Sequence, residues 1–283
     1  MHRTAETDEF MRGFEPSSEN YRNYKRACKA VSTKLVENPP EDPALDERQE
    51  FYIRLLAEHG LLRKGLSVAD LGGGSAWFIA VLAQMGLEAT LVDDFWGGGH
   101  VEANVYRQQL SFLEGFEKLG VKIQSQDLIS KPLQMPDESV DVITCFHTLE
   151  HWHHSPKKLF AEIRRVLRPG GYIIFATPNV VNLRKRIYTV LGKSPFANLD
   201  EWYQHEVFRG HVREPSIADL HQLYQWNGFQ VVDTYGRNFI GQDSMALSFL
   251  PLPLRRLLAR SLATLLKTVP SLCSDIHVVG IKK

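Results

Sequence analysis

The stretch Val68-Ala69-Asp70-Leu71-Gly72-Gly73-Gly74-Ser75-Ala76-Trp77-Phe78-Ile79-Ala80-Val81-Leu82-Ala83-Gln84 constrains this chain more than any other. Val68 to Leu71 reads as a buried strand, three glycines as a tight turn, and the apolar run after them as a helix. Corners of this kind let a ligand approach the backbone. Spacing narrows the ligand. A triphosphate-binding loop needs G-x-x-x-x-G-K-[ST], and no such lysine follows Gly72. The dinucleotide pattern G-x-G-x-x-G fits Gly72 and Gly74, but its third position is Trp77, where a small residue is needed for close helix–strand packing.

The pattern downstream alternates. Strands are expected over LSVADL, EATLVDD, VKIQSQD, SVDVITCF and GYIIFATP, with helices over AWFIAVLAQM, VEANVYRQQLSFLEGFEKLG and SPKKLFAEIRRVLRPGG. Ser155 is expected to cap the last of these, with Pro156 in its first turn. Such alternation implies a parallel sheet with helices on both faces. Before it, Asp46 has the character of an N-cap for ERQEFYIRLLAEHG, which Gly60 closes. After it, residues 178–213 carry helix-like pieces without a strand. SIADLHQLYQWNGF then reads as a helix, and QVVDTYG and DIHVVGIKK as strands.

Three features sit at the ends of successive strands: Asp93, with Asp94 beside it, after the second; Asp127, followed by Leu128, at the end of the third; and Phe146-His147-Thr148-Leu149-Glu150-His151 after the fourth. With the D-x-G-x-G of Asp70 to Gly74 and the turn LRPGG, this order resembles the class I S-adenosylmethionine-dependent methyltransferases, small-molecule type, and is similar to ubiquinone-pathway O-methyltransferases. The resemblance implies a doubly wound, mostly parallel seven-stranded α/β sheet with a reversed last strand, a helical N-terminal cap (residues 1–60) and a methyltransferase domain (residues 61–283). It implies S-adenosylmethionine as cofactor and S-adenosylhomocysteine as product. Asp70, Gly72, Gly73, Gly74, Asp93, Asp94, Asp127, Leu128, Phe146 and His147 would then form the cofactor site. The N-terminal cap would close it through Tyr21 or Tyr24. Ala76 stands where many members carry a third glycine.

Methyl transfer to a hydroxyl needs a base, and histidine titrates in the useful range. His151 is the first candidate and His147 the second; the alternative for Glu150-His151 is that it braces the loop. His147 to His151 also spell H-x-x-E-H, a zinc-peptidase spacing when carried on a helix. Only about one turn of helix fits before Ser155-Pro156, which argues against that chemistry. His147 stands where related enzymes carry an acid, so no metal is expected.

The acceptor side is less specific. A lid insertion over about residues 179–213 mixes Arg184, Lys185, Arg186 and Lys193 with Trp202, Tyr203, His205, Arg209, His211 and Arg213. Its aromatic residues are expected either to form the lid's own core or to face an acceptor. A second basic–apolar segment, about 247–270, reads as an amphipathic helix with a leucine stripe at Leu257, Leu258, Leu262, Leu265 and Leu266. Together they suggest a small-molecule or lipid-linked acceptor, with peripheral membrane contact as a corollary. Lys+Arg and Asp+Glu both number 33, which argues against nucleic-acid partners. Cys28, Cys145 and Cys273 are too far apart in sequence to suggest a zinc ribbon or a disulfide framework. With no apolar leader run in the first twenty residues, a cytoplasmic protein is expected.

Overall fold

The computed structural model describes residues 14–35, 41, 45–74, 77–95, 113–196, 199–204, 208, 210–238 and 268–283. Ala76, His205, Arg209, residues 101–112 of the helix expected before the third strand, and residues 247–267 of the amphipathic segment lie outside them. Seven helices are bounded within the described residues: α1 Glu19–Leu35, α2 Glu47–Glu58, α3 Trp77–Gln84, α4 Lys157–Val166, α5 Leu183–Val190, α6 Leu199–Tyr203 and α7 Ile217–Trp226. The strands are β1 Ser67–Leu71, β2 Glu88–Asp93, β3 Lys122–Ser125, β4 Val140–Phe146, β5 Leu167–Pro178, β6 Phe229–Arg237 and β7 Asp275–Lys282.

The strands form one sheet in the order β3-β2-β1-β4-β5-β7-β6. All neighbours pair in parallel except β7, which runs antiparallel to both β5 and β6. The expected reversed strand is therefore present, inserted between two strands of common direction. Strand order turns back between β1 and β4, and the crevice beyond the carboxyl ends of such strands is where open α/β sheets bind ligands.

Side-chain alternation explains both faces. Val68, Val142, Ile174 and Val279 point into a core shared with α1, α2 and α3. Ala69, Ile143, Ile173, Phe175 and Val278 point into the opposite core, with α4 and α7. The N-terminal helices thus share a core with the sheet: Tyr24, Val31, Ile53 and Leu56 are all buried there.

Local chemistry sets most boundaries as read. Asp46 caps α2 by accepting from the Gln49 N–H at 2.9 Å. Ser216 and Asp219 form a reciprocal capping box at α7. Three details differ. Pro156, not Ser155, occupies the cap position of α4, and Ser155 Oγ accepts only a long 3.4 Å bond from the Lys157 N–H. The turn LRPGG lies within β5 as an outward bulge: pairing with β4 jumps from Val140–Leu167 to Val142–Tyr172. Asp127 lies two residues beyond β3, which ends at Ser125, because its carboxylate organises the following turn instead of extending the ladder.

Candidate active site

The glycine corner is compact for identifiable reasons. Gly72 has φ of 75°, and a Cβ there would meet Thr148 Cγ2 at 2.2 Å. A Cβ on Gly73 would meet Asp70 Oδ2 at 2.1 Å. Gly74, at φ of 55°, faces open space. The first two glycines let the loop after β4 and the Asp70 carboxylate press against the turn; the third leaves backbone open to the crevice.

That crevice holds about 670 Å³. Gly72, Gly73, Gly74, Asp93, Asp94, Asp127, Leu128, Phe146, His147 and His151 all line it, so ten of the residues read as site candidates come together. Asp70 does not line it. It is buried beneath the turn, and its Oδ1 accepts from Thr144 Oγ1 at 2.7 Å. Burial pushes the Asp70 carboxyl up to about 7, against the Thr144 hydrogen bond and with a contribution from Asp93. Its place is to support the corner. Tyr21 and Tyr24 do not reach the crevice either; they cluster with Phe14 inside the cap. The cap residue that does reach the site wall is Tyr52 of α2, whose ring stacks on Phe146 at 3.8 Å.

Asp93 ties β2 to the glycine turn. Its Oδ2 accepts from the Gly74 N–H at 2.9 Å and its Oδ1 from the Phe95 N–H at 2.6 Å. Burial raises its pKa, and those two backbone bonds oppose the shift. A carboxylate oxygen has capacity for more than one donor, so Asp93 can still receive hydroxyl donors from the crevice. Asp127 is exposed; it accepts from the Ile129 N–H at 2.8 Å and from Ser130 Oγ at 2.7 Å, and the Ser130 bond lowers its pKa.

Opposite the glycines, H-x-x-E-H does not lie on one helix. His147 precedes the helical turn with φ of 53°, and only Leu149–His151 form a single 3-10 turn. The two imidazoles diverge. Nδ1 of His147 lies 3.5 Å from Glu150 Oε1 and its Nε2 lies 3.3 Å from Asp275 Oδ1. The ring is thus packed between two carboxylates from separate segments, without a hydrogen bond at Nε2. Asp275 begins β7, far from His147 in sequence, and no local signal marks it. Glu150 is fully buried; its carbonyl accepts from the Val212 and Arg213 N–H groups at 2.7 and 3.2 Å, and its side chain from Thr177 Oγ1 at 3.3 Å. It braces the turn against the end of the lid.

The lid is rooted by buried Asn179, whose Nδ2 donates to the Ser271 and Cys273 carbonyls at 2.9 Å. Asn182 caps α5. Beyond this root the apolar side chains face outward. Val190 is 85% exposed, Phe196 70%, Trp202 58% and Tyr203 73%, so Trp202 and Tyr203 are not lid core. Lys185, by contrast, is buried and ion-paired with Glu214. The ligand atoms of Glu150, His151 and the lid's His211 lie within 4.8 Å of one another.

A family model for a methyltransferase domain matches residues 45–234, two-thirds of the chain. The chain belongs to the methyltransferase-domain family. It is 36% identical over 117 residues to a probable S-adenosylmethionine-dependent methyltransferase of Mycolicibacterium smegmatis, covering 41% of this chain and 38% of that protein. It is 28% identical over 182 residues to a ubiquinone biosynthesis O-methyltransferase of Coxiella burnetii, covering 64% and 71%. A SAM-dependent methyltransferase from Archaeoglobus fulgidus shares the fold, with TM-score 0.51 at 17% identity over 83% of this chain and 94% of that one. S-adenosylmethionine is thus the cofactor of this methyltransferase. The site suits it: the open face at Gly74 can admit an amino-acid tail, Asp93 retains acceptor capacity, and Leu128 and Phe146 supply apolar wall. The rival zinc-hydrolase reading lacks its helix.

Proposed function

We propose that this methyltransferase transfers the methyl group of S-adenosylmethionine to an oxygen of a small-molecule or lipid-linked acceptor, with His151 as the base. When bound, S-adenosylmethionine would supply an electrophilic methyl group, with S-adenosylhomocysteine as the product. The chain's work is to align the acceptor and take up its proton. The observation that carries this reading is the juxtaposition, in one crevice, of the Gly72–Gly74 corner with His151. Of the two histidine candidates, His147 is flanked by Glu150 and Asp275, which leaves His151 the better placed. Gly72 to Gly74, Asp93, Asp94, Asp127, Leu128 and Phe146 would hold the cofactor, with Asp70 supporting them from below.

The outward apolar lid favours a lipid-linked acceptor and peripheral membrane contact. Val190, Leu191, Phe196, Leu199, Trp202 and Tyr203 are exposed beside Arg184, Arg186 and Lys193, the pairing of side chains that an anionic bilayer surface attracts. Among the described residues no helix is long and apolar enough to cross a membrane. The ubiquinone biosynthesis O-methyltransferase relatives lend support to an oxygen acceptor.

Calorimetry tests the core of the reading. S-adenosylhomocysteine should bind and NAD and ATP should not; absence of heat with S-adenosylhomocysteine would remove the proposal. A catechol with and without a polyprenyl tail, set against matched amines, distinguishes the acceptor atom by methyl incorporation. Flotation with anionic liposomes tests the lid, and no co-flotation at low salt would remove the membrane component.

A further inference from the structure

The wall of the crevice facing the glycine corner is backed by a row of charged and titratable groups that the reaction as described leaves idle. Lys185, buried in α5, is ion-paired with one carboxylate oxygen of Glu214. The other oxygen, Oε1, lies 2.7 Å from Nδ1 of His211. The ring of His211 stands edge-on to that of His151, with centroids 5.0 Å apart at 78°. His151 lines the crevice; His211 does not. Three segments distant in sequence, α5, the end of the lid and the turn after β4, thus meet in one line from a buried cation to the reaction space.

A carboxylate at Nδ1 selects one tautomer of an imidazole: the proton sits on Nδ1, and Nε2 is left as an acceptor. The ligand atoms of His211, His151 and Glu150 all lie within 4.8 Å of one another, a span that a direct hydrogen bond or one bridging water covers. The groups facing His211 are Glu214 from the lid, Glu150 and His151 from the 3-10 turn, and Lys185 from α5. Their balance raises the ring's affinity for a proton: the Glu214 hydrogen bond is the largest influence raising its pKa, while burial and Lys185 oppose it.

We infer that His211, held by Glu214, is a positioning residue that orients His151 and receives the proton His151 takes from the acceptor. The inference rests on His151 being the base. The acceptor's O–H bond breaks, and its oxygen keeps the electron pair. The proton adds to one nitrogen of His151, and the proton on the other nitrogen passes to Nε2 of His211. The resulting imidazolium lies between Glu214 and Glu150, and the His211 side chain, 40% exposed, releases the proton to water. Glu214 is suited to this place: burial would raise its pKa, but the hydrogen bonds from His211 and Lys185 outweigh burial and keep it ionised.

The test needs no acceptor. Imidazole resonances of the full chain, followed by NMR from about pH 5 to pH 9, should show His211 titrating above the ordinary histidine value of about 6.5. In E214Q that midpoint should fall by at least about half a pH unit, and E214D should restore it. In H211Q the midpoint of His151 should move, because the two rings share a proton. An unchanged His151 midpoint in H211Q, or an unchanged His211 midpoint in E214Q, would overturn the inference. So would saturable binding of Zn²⁺ that shifts both rings at equimolar metal, since the group would then hold a cation in place of a proton. Calorimetry with S-adenosylhomocysteine on the same proteins separates the two failures. Lost coupling with intact binding removes the relay alone; no binding by the parent protein removes the methyl-transfer reading beneath it.

Discussion

The two walls of the crevice are held by different kinds of bond. On the glycine side, carboxylates are tied to nearby backbone: Asp93 to the Gly74 and Phe95 N–H groups, Asp127 to the Ile129 N–H. On the lid side, side chains hold side chains from remote segments: Lys185 to Glu214, Glu214 to His211, His147 beside Asp275. The first wall is built from the turns at the carboxyl ends of neighbouring strands. The second is assembled from three or more stretches and depends on charge. Damage to the first should therefore appear in cofactor affinity and stability, and damage to the second in proton transfer and surface behaviour.

The largest effect should come from Gly72→Val. It forces a β-branched residue to a positive φ and drives its Cβ into Thr148. A cost of about 3 kcal/mol or more in stability is expected, with loss of S-adenosylhomocysteine binding, both read by thermal melts and calorimetry. Retained binding would show that the corner is less rigid than the contrast between the walls requires.

Next is Asp93→Asn. An amide cannot accept from two N–H groups on opposite sides without turning its own NH₂ toward one of them. Affinity for S-adenosylhomocysteine should fall about tenfold or more, roughly the worth of one charge-assisted hydrogen bond. Lid variants such as H211Q should leave that affinity within about twofold, since His211 does not line the crevice. Equal losses from the two would erase the distinction between the walls.

Asp70→Asn sharpens it through pH. The folded-state pKa of Asp70 is raised, from 3.8 to about 7, by burial. Between those values the folded protein holds a proton that the unfolded chain has released. Stability from this group therefore falls as pH rises, and the penalty is complete above about 7. The amide of the variant keeps an acceptor for Thr144 without the charge. The variant should gain on the parent by on the order of 2–4 kcal/mol between about pH 4 and pH 8, measured by denaturant melts at both ends. A gap independent of pH would show that Asp70 is ionised without penalty in the folded state.

The smallest effect on stability is expected from Trp202→Ser. Its side chain is largely exposed, so melts should change within about 0.5 kcal/mol. Flotation with anionic liposomes should nonetheless weaken. A large loss of stability would place Trp202 in contacts the lid does not show.

The same contrast runs through what was readable beforehand. The strands, the cap at Asp46 and most of the glycine-side wall of the crevice follow from patterns within a few residues: alternation of two, glycines at a corner, an acid at a strand tip; the reversal of β7 followed from the family resemblance, not from any local pattern. Asp70 was misplaced because a motif position does not say on which side of the turn a side chain lies. Tyr52, not Tyr21 or Tyr24, reaches the site because α2 lies across α3 and the sheet, a packing choice no local spacing encodes. Thr148 lines the crevice and explains Gly72, yet its only sequence mark is its place beside His147.

By itself, then, the sequence determined the α/β alternation, the glycine corner and the acids that line the crevice beside it, because these depend on backbone geometry and on neighbours close in the chain or on the next strand. Only the tertiary structure decided the fate of the histidines. His147 was turned toward β7, His151 toward the crevice, and His211 brought behind it by Glu214 and Lys185. Electrostatic partners act through space, and the distances that pair them come into being only when sheet and lid have packed.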